Sequence, residues 1–447
     1  MESEWQAEIK RWRENWYLWR AKRGCYEQQS REWLRGQIAL YLAEQGISLT
    51  VNAVSNVEEA LKAYTLLDDN LRPPRWINDR EGVYVSFKNG ILNMDDDELQ
   101  LIPHSPEFFT LVSVPYDFNP EATCPKFEDA VNLWMPDSDS QMLLQDWAGY
   151  IFMPGNPEQV FLLNQGEGGD GKSQWATVLR ALVGDDNVSG VGLEAFDPKN
   201  RFGLMPLLGK VLNIVGDAND IEKMGEGVLK AIVGGDPITI DRKMISAVTE
   251  RLDCKFMMNC NQLPPFRDRS EGIWRRMLLV VWNQVIPEEK KVRDFGDVVV
   301  REEIQGIFNW ALCGYHRVRK YGFTTRKGQR IQQHLFDARN TIQKERAFFE
   351  DEIGFDPNPE TEVVTPLDEI VKAYRAWCER NNNRASLYGD NLAKAMISYL
   401  RTKHPEHSSV INNIKVRRVV NDMDVRSKRR WVYRGVYILR DAVGGPE

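Results

Sequence analysis

The chain has 447 residues, of which 42% are hydrophobic and 28% charged, and its formal net charge is −7 at pH 7. This length is typical of about three domains, and the acidic balance excludes a polycation that binds nucleic acid through its total charge. The six cysteines form no C-x-x-C pair and no run of 18 apolar residues occurs, so we expect no disulfide framework, zinc site or membrane-spanning helix. The charged N-terminus does not resemble a secretory signal, and a reducing cytoplasm fits this composition.

The first 70 residues are predicted to be helical. Five apolar side chains follow a spacing that would place them on one helix face, namely Trp5, Ile9, Trp12, Trp16 and Trp19. Such a face would pack on its own domain, or it would form an aromatic platform for bases or a surface between subunits. The sequence leaves these alternatives open.

A hairpin and two helical segments are predicted next. Residues 82–93 have the composition of two strands joined by an Asn89-Gly90 turn. Prolines then interrupt residues 103–125. Helices are expected over about residues 127–152.

The most informative stretch of the chain is residues 166–173, Gly-Glu-Gly-Gly-Asp-Gly-Lys-Ser, which match G-x-x-x-x-G-K-[ST] in full. An apolar run precedes the motif and a helical pattern follows it, which is the context of a phosphate-binding loop. The glycines let backbone N–H groups surround phosphate oxygens at the positive end of a helix. Lys172 would reach the β- and γ-phosphates, and Ser173 would hold Mg²⁺. The predicted nucleotide-binding residues are Gly166, Gly168, Gly169, Asp170, Gly171, Lys172, Ser173 and Gln174.

Residues 158–286 alternate short apolar runs with helical patterns, which indicates an α/β nucleotide-binding core. The runs lie at 160–163, 211–215, 255–259 and 277–282. Each run is short enough to be a buried strand of a parallel sheet.

Two of these strands lead into side chains that suit ATP hydrolysis. Asp217 follows the second run and would hold Mg²⁺ and orient the attacking water, with Asp220 close by in sequence. Asn261 follows the third run and would sense the γ-phosphate, while Asn259 is a weaker candidate because strand alternation points it differently.

Two pairs of basic residues suggest contacts outside the nucleotide pocket. Arg275 and Arg276 precede the last run and would reach the γ-phosphate of a neighbouring subunit, although a surface ion pair would also suit them. Residues 234–245 read as a turn that enters a hairpin, with Arg242 and Lys243 near its tip. Such a tip would grip phosphates of a single strand, or it would simply be solvated.

The C-terminal part is predicted to be a separate module. A helical stretch covers 287–350, and Pro357, Pro359 and Pro366 indicate a linker. Two helices and two strands then follow, the pattern of a winged-helix module. Between Arg401 and Arg434 the sequence contains ten Lys or Arg residues and only three acidic residues. This basic region would bind the phosphates of duplex DNA, or it would simply be a solvated surface. The predicted DNA contacts are Arg242, Lys243, Arg417, Arg418, Lys428, Arg429 and Arg430.

Taken together, these motifs resemble the superfamily 3 helicases, in the phage, plasmid and poxvirus-type primase-helicase group. The resemblance covers about residues 25–440. The matching segments are Ser86–Asn93, Pro103–Pro106, Trp147–Tyr150, the phosphate-binding loop, Asn200–Asn213, Gly234–Lys243, Asn261–Arg276 and Tyr374–Cys378.

The resemblance implies an α/β fold with an AAA+-like P-loop motor core, which assembles as a homohexamer around single-stranded DNA and uses ATP and Mg²⁺. It implies catalytic roles for Lys172, Asp217, Asn261 and Arg276, and Mg²⁺ contacts for Ser173 and Asp217. Arg276 would be the arginine finger, the residue that reaches the ATP of the next subunit, with Arg275 as the second candidate. The expected domains are a mainly helical N-terminal collar or oligomerisation domain at 1–153, the ATPase core at 154–290, a helical extension at 291–355 and a winged-helix-like domain at 361–447.

Two features depart from that group. Its second acidic motif often carries Glu where this chain has Asp217, so the acid that orients water stays open. About 25 residues precede the matched region, so we expect a separate primase or polymerase partner. The expected setting is the cytoplasm of a bacterial host, if a phage or mobile element encodes the protein.

Two other functions remain alternatives. An origin-binding initiator would use ATP as an assembly switch and would remodel DNA without processive unwinding. A P-loop kinase or another small-substrate phosphotransferase is the second alternative. It is less well supported, because the basic hairpin and the paired arginines would have no role in it.

Overall fold

The computed structural model describes the chain except residues 1–7, 198, 201, 217–224, 243–244, 265, 267–270, 384, 386, 388, 421–427 and 440–447. The chain divides into two compact units. The first unit comprises Met1–Gln262 and Leu278–Ile331, and the second comprises Leu263–Met277 and Gln332–Glu447.

The first unit begins with a three-stranded antiparallel sheet of β1 (Ile9–Trp12), β2 (Asn15–Arg20) and β3 (Cys25–Gln29). Helices α1 (Arg31–Glu44) and α2 (Val51–Thr65) follow it. The two helices confirm part of the helical prediction, but a helix over residues 9–29 is wrong.

The tryptophan spacing misled because it spans two strands and a turn. Arg13 and Glu14 have φ values of 47° and 65°, and they form the two-residue turn that pairs Trp12 with Asn15. Strand alternation then sends Trp16 into one apolar cluster and Trp19 into another on the opposite face. Trp5 lies outside the described residues.

Short strands continue the first unit: β4 (Arg75–Trp76), β5 (Tyr84–Phe87), β6 (Gly90–Asn93), β7 (Leu101–Ile102) and β8 (Phe108–Phe109). The predicted hairpin is confirmed as β5 and β6, and its register pairs Phe87 with Gly90. The two turn residues are therefore Lys88 and Asn89, one position earlier than predicted. Helices α3 (Pro125–Trp134) and α4 (Ser138–Tyr150) confirm the next prediction.

A five-stranded sheet forms the centre of the first unit. The strands of this sheet and the elements between and after them are, in chain order, β9 (Phe161–Gly166), α5 (Lys172–Val183), β10 (Val188–Ser189), β11 (Leu212–Val215), α6 (Glu226–Val233), the hairpin β12 (Ile238–Arg242) and β13 (Ile245–Glu250), β14 (Lys255–Cys260), β15 (Met277–Trp282) and α7 (Phe295–Tyr321). Helix α8 (Gln329–Ile342) follows, and most of it belongs to the second unit. The strand order is β10-β11-β14-β9-β15, and the β10–β11, β11–β14 and β14–β9 pairs are parallel. All four predicted core strands and the mixed α/β class are confirmed.

Helices α4 and α7 cross so closely that glycine is required on each. A Cβ on Gly149 would lie 2.1 Å from the backbone nitrogen of Tyr315, and one on Gly314 would lie 2.0 Å from the carbonyl oxygen of Gln145. Backbone atoms cannot move aside as a side chain can, so the helices would have to separate.

We therefore expect Gly149→Ala to destabilise the protein by about 3 kcal/mol, through overpacking at this crossing. Gly36→Ala is the matched control, because Gly36 is also helical and a Cβ there meets no atom within 4 Å. The control should leave stability unchanged or raise it by about 0.5–1 kcal/mol. Urea unfolding followed by circular dichroism measures both changes, and equal midpoints for the two variants would contradict the crossing geometry.

The second unit contains α9 (Lys344–Glu352), β16 (Ile353–Phe355), β17 (Val364–Pro366), α10 (Leu367–Arg380), α11 (Gly389–Lys403), β18 (Lys415–Val420), β19 (Lys428–Arg434) and β20 (Val436–Ile438). Its sheets have the orders β17-β19-β18 and β16-β20. The two predicted tail helices and the strand pair are confirmed. Two short helices, Glu271–Trp274 and Ser408–Ile411, also belong to this unit.

The proline-rich segment is a loop inside this unit and not the predicted linker between domains. β16 and β17 flank Pro357 and Pro359 and pair with β20 and β19 of the same unit. Phe348 of α9 is fully buried in one apolar cluster with Tyr374 and Met396, so the unit starts before the expected boundary at residue 361. Among the described residues, no helix is long and apolar enough to cross a membrane.

Candidate nucleotide site

The loop at 166–173 joins the end of β9 to the start of α5 in a glycine-dependent conformation. Gly168, Gly169 and Gly171 have φ values of 108°, 68° and 102°, a region that favours glycine. A Cβ on Gly171 would lie 2.5 Å from Nε1 of Trp134, whereas Gly168 and Gly169 face open space. The loop is thus packed at Gly171 and open at Gly168 and Gly169, which we call its crown. A ligand could approach the backbone N–H groups there.

Neighbouring segments hold the ends of this loop. The carbonyl of Gly169 accepts a hydrogen bond from the backbone N–H of Ile286, at 3.2 Å. Oε1 of Gln174 accepts one from the N–H of Gly296 at 2.6 Å, so this predicted nucleotide contact ties α5 to the start of α7. Ser173 is exposed in the first turn of α5, as a hydroxyl that binds a metal ion would need to be.

The loop already surrounds an anion, the carboxylate of its own Asp170. Oδ1 accepts the backbone N–H of Lys172 at 3.2 Å, and Oδ2 accepts that of Gly168 at 3.3 Å. The ammonium of Lys172 forms a hydrogen-bonded ion pair with Oδ2, and both side chains are buried. These donors are of the kind that bind phosphate oxygens at a helix N-terminus, so the residues present fit a nucleoside triphosphate.

Because phosphates and the Asp170 carboxylate need the same donors, the two anions should compete. We expect Asp170→Asn to lower the Kd for ATP about tenfold, which corresponds to about 1.4 kcal/mol. Glu167→Gln is the matched control, since Glu167 is an exposed acid of the same loop and loses the same charge. Titration with a fluorescent ATP analogue measures both variants, and weaker binding by Asp170→Asn than by Glu167→Gln would contradict the competition.

Asn261 lies beside the loop. The β14–β9 register pairs Cys260 with Gln165, so Asn261 stands next to Gly166 at the carboxyl edge of the sheet, and it is exposed. Asn259 is buried, and its Oδ1 accepts a hydrogen bond from Nδ2 of Asn164 at 3.0 Å. This bond holds Asn259 in the interior. Of the two asparagines, Asn261 is therefore the one that a ligand at the loop could reach.

Sequence reasoning missed the polar chain beneath the loop. Asn164 of β9 links two neighbouring strands, because its Oδ1 also accepts the indole N–H of Trp282 at 3.0 Å. All members of this chain are buried, and buried polar groups that are fully paired hold strands in one register. Its sequence signal is an asparagine directly after the apolar run 160–163.

The acid predicted to hold Mg²⁺, Asp217, lies outside the described residues, as does Asp220. The strand that leads to them is described: β11 ends at Val215, which pairs in parallel with Met258 of β14. The carboxyl ends of β11, β14 and β9 therefore share one edge of the sheet with the 166–173 loop.

The predicted basic hairpin is confirmed as β12 and β13. Its register pairs Arg242 with Ile245, so Arg242 stands next to the tip, while Lys243 lies outside the described residues. An ion pair between Arg13 and Glu250 joins the base of the hairpin to the turn of the N-terminal sheet.

The remaining predicted residues belong to the second unit. Arg275 is exposed, and Nη1 of Arg276 donates to the carbonyl of Gly272 at 2.8 Å. The strands that carry the basic tail residues are described, but five side chains there lie outside the description, those of Arg417, Arg418, Lys428, Arg429 and Arg430.

Two family models match parts of the chain. Residues 3–134 match the "D5 N terminal like" family, and residues 164–276 match DUF5906, a family of unknown function. The second match includes the 166–173 loop, the hairpin and both arginines at 275 and 276.

A viral protein and solved structures are also similar to the chain. "Putative helicase 022R" of Frog virus 3 (isolate Goorha) is 23% identical over 277 residues, which are 55% of this chain and 27% of the viral protein. The chain therefore spans about a quarter of that relative's length. The A form apo structure of the NrS-1 C terminal region has a TM-score of 0.56 at 13% identity and covers 97% of this chain and 98% of its own. A second apo structure of that region, residues 305–718, has a TM-score of 0.54 at 14% identity, with the same coverage.

The NrS-1 likeness shows a shared fold, since its sequence identity is low. The two family models match the N-terminal region and the segment that contains the 166–173 loop. Residues 3–134 are thus similar to the "D5 N terminal like" family, part of the chain is similar in sequence to a viral protein named as a helicase, and the fold resembles that of the NrS-1 C terminal region.

Proposed function

We propose that the protein is an ATP-dependent, ring-forming DNA helicase or translocase that serves the replication of a virus, phage, plasmid or other mobile element. The observation that carries this proposal is the loop at 166–173, which folds its N–H groups and Lys172 around a carboxylate at the N-terminus of α5. The sequence similarity to a protein named as a viral helicase supports the choice of function.

In this proposal the open crown of the loop and the start of α5 bind ATP. Lys172 leaves Asp170 and binds the phosphates, and Ser173 holds Mg²⁺ together with Asp217. Asn261 senses the γ-phosphate from the neighbouring strand. Bound Mg²⁺ would neutralise charge on the phosphates during hydrolysis.

The strand order supports an AAA+-like motor core. β14 lies between β9, which leads into the loop, and β11, which leads to Asp217. In the proposal, Asn261 would therefore act between the loop and the acid that follows β11. The proposed assembly is a homohexamer, in which Arg276, with Arg275 second, acts on the ATP of the next subunit.

DNA would be bound at two places. Arg242, next to the tip of the β12–β13 hairpin, and Lys243, which follows it in sequence, would contact single-stranded DNA in the central pore. After α9, the second unit has the element order two strands, two helices and three strands, with residues 421–427 between β18 and β19. This order supports a winged-helix module that binds duplex DNA through the basic tail, with priming left to a separate primase or polymerase.

Lys243→Ala tests translocation directly. We expect this variant to lose displacement of a labelled strand from a forked duplex while it keeps most of its duplex binding, which the tail would supply. Lys290→Ala removes the same charge from an exposed position elsewhere in the first unit and should unwind like the wild type. Retained duplex binding without any unwinding by the wild type would instead favour the ATP-switched initiator.

A further inference from the structure

The segment that carries Arg275 and Arg276 packs with the C-terminal part of the chain. Leu263–Met277 belongs to the same compact unit as Gln332–Glu447, although it follows directly on β14 in sequence. Its short helix, Glu271–Trp274, ends immediately before Arg275. Whatever holds this helix therefore also determines where the two arginines stand.

One buried arginine holds the short helix through a bidentate ion pair. Nη2 of Arg339 lies 2.6 Å from Oε1 of Glu271, and Nη1 lies 3.0 Å from Oε2. Arg339 of α8 is only 5% exposed. Its guanidinium also lies 5.5 Å from the ring centre of the buried Trp274, so it contacts the first and the last residue of the short helix.

A second contact ties the same carboxylate to α11. The hydroxyl of Thr402 donates to Oε1 of Glu271 at 3.0 Å. Thr402 lies between Arg401 and Lys403 in the last turn of α11, where the basic tail begins. Glu271 thus joins the short helix both to α8 and to the element that leads into the proposed duplex-binding strands.

The charges around Glu271 favour its ionised form. Burial alone would raise the pKa of Glu271, but the hydrogen bonds and charge of Arg339, the hydroxyl of Thr402 and the charge of Arg346 lower it below its ordinary value. Burial and the nearby Arg339 lower the pKa of Arg346 to about 10. The half-exposed carboxylate of Glu271 therefore offsets the repulsion between two buried arginines, Arg339 and Arg346.

We propose that Glu271 is a positioning residue, which holds Arg275 and Arg276 in place through Arg339 and Thr402 and so links duplex engagement by the second unit to ATP hydrolysis in the neighbouring subunit. The inference rests on the proposed function, because it needs a finger that acts across a ring. It assigns the C-terminal unit a part in hydrolysis besides DNA binding.

Mixed assemblies of the full-length chain test this inference. Lys172→Ala subunits cannot hydrolyse ATP but can donate a finger, so they should restore activity to Arg276→Ala subunits. We expect the double variant Lys172→Ala/Glu271→Gln to restore at least about tenfold less, as loss of a charge-assisted pair would predict. Lys172→Ala/Thr402→Val replaces only the hydroxyl. It should restore more activity than Lys172→Ala/Glu271→Gln, but less than the control variant Lys172→Ala/Glu352→Gln.

Lys172→Ala/Glu352→Gln is the matched control. Glu352 pairs with Arg380 at 2.6 Å in the same unit, so the change removes the same charge and one ion pair away from the short helix. It should donate fingers as well as Lys172→Ala does. Nucleotide binding by the single variant Glu271→Gln should equal that of the wild type, which separates finger placement from misfolding.

Two results would overturn the inference. If Lys172→Ala/Glu271→Gln restores activity as well as its control does, the pair has no positioning role while the proposed function stands. If Lys172→Ala and Arg276→Ala subunits never complement each other and the wild type ignores single-stranded DNA, both the inference and the proposed function fail.

Discussion

Lys172→Ala should reduce ATP hydrolysis by at least about 10²–10³-fold, the loss typical of removing one group that stabilises the transition state. Lys172 supplies the ammonium of the 166–173 loop, and its Nζ is directed at the anion that the loop surrounds. Single-turnover hydrolysis with saturating ATP measures the loss, because saturation separates chemistry from binding.

The same substitution should also destabilise the fold, and a second substitution distinguishes the two effects. Removing Lys172 leaves the buried Asp170 carboxylate without its cation, which should cost about 3 kcal/mol. Lys172→Ala/Asp170→Asn removes both charges and should recover most of that stability without recovering hydrolysis. Recovery of hydrolysis by the double variant would contradict the role of Lys172.

Arg276→Ala should be equally inactive, with a loss of about 10³-fold that is typical of an arginine finger. The cause of this loss differs from that in Lys172→Ala, because Arg276 is proposed to act on the ATP of the next subunit. The variant should therefore bind ATP like the wild type, whereas Lys172→Ala should not. Equilibrium binding and steady-state hydrolysis of each variant measure this difference.

Mixing the two inactive variants tests that placement. A mixed ring contains sites with an intact loop on one subunit and an intact arginine on the next, so about a quarter of the wild-type activity should return in an equal mixture. Arg275→Ala is the neighbouring control and should lose less activity than Arg276→Ala. An inactive mixture would contradict an arginine that acts in trans, and a less active Arg275→Ala would exchange the roles of the two.

Local patterns predicted the nucleotide-binding part of the fold well. The loop at 166–173 and its flanking β9 and α5 follow from residues close in sequence, and so do the long core strands. β10 was missed because two residues are too few to show a pattern. The N-terminal sheet was missed because tryptophans in two strands imitate a helical spacing.

The site was predicted in its parts but not in its connections. That Asp170 fills the cradle of the loop depends on side-chain geometry, which no motif contains. The grouping of Glu271 with Arg339 and Thr402 depends on packing between segments 68 and 131 residues apart. Such long-range contacts leave no periodic signal in a single sequence.

The rate of ATP hydrolysis with and without single-stranded DNA is the most direct test of the proposed motor. We expect Mg²⁺-dependent hydrolysis that single-stranded DNA stimulates several-fold, and no stimulated activity in Lys172→Ala. ATP hydrolysis that is the same with and without single-stranded DNA would contradict a DNA translocase and would favour an ATP switch or a phosphotransferase.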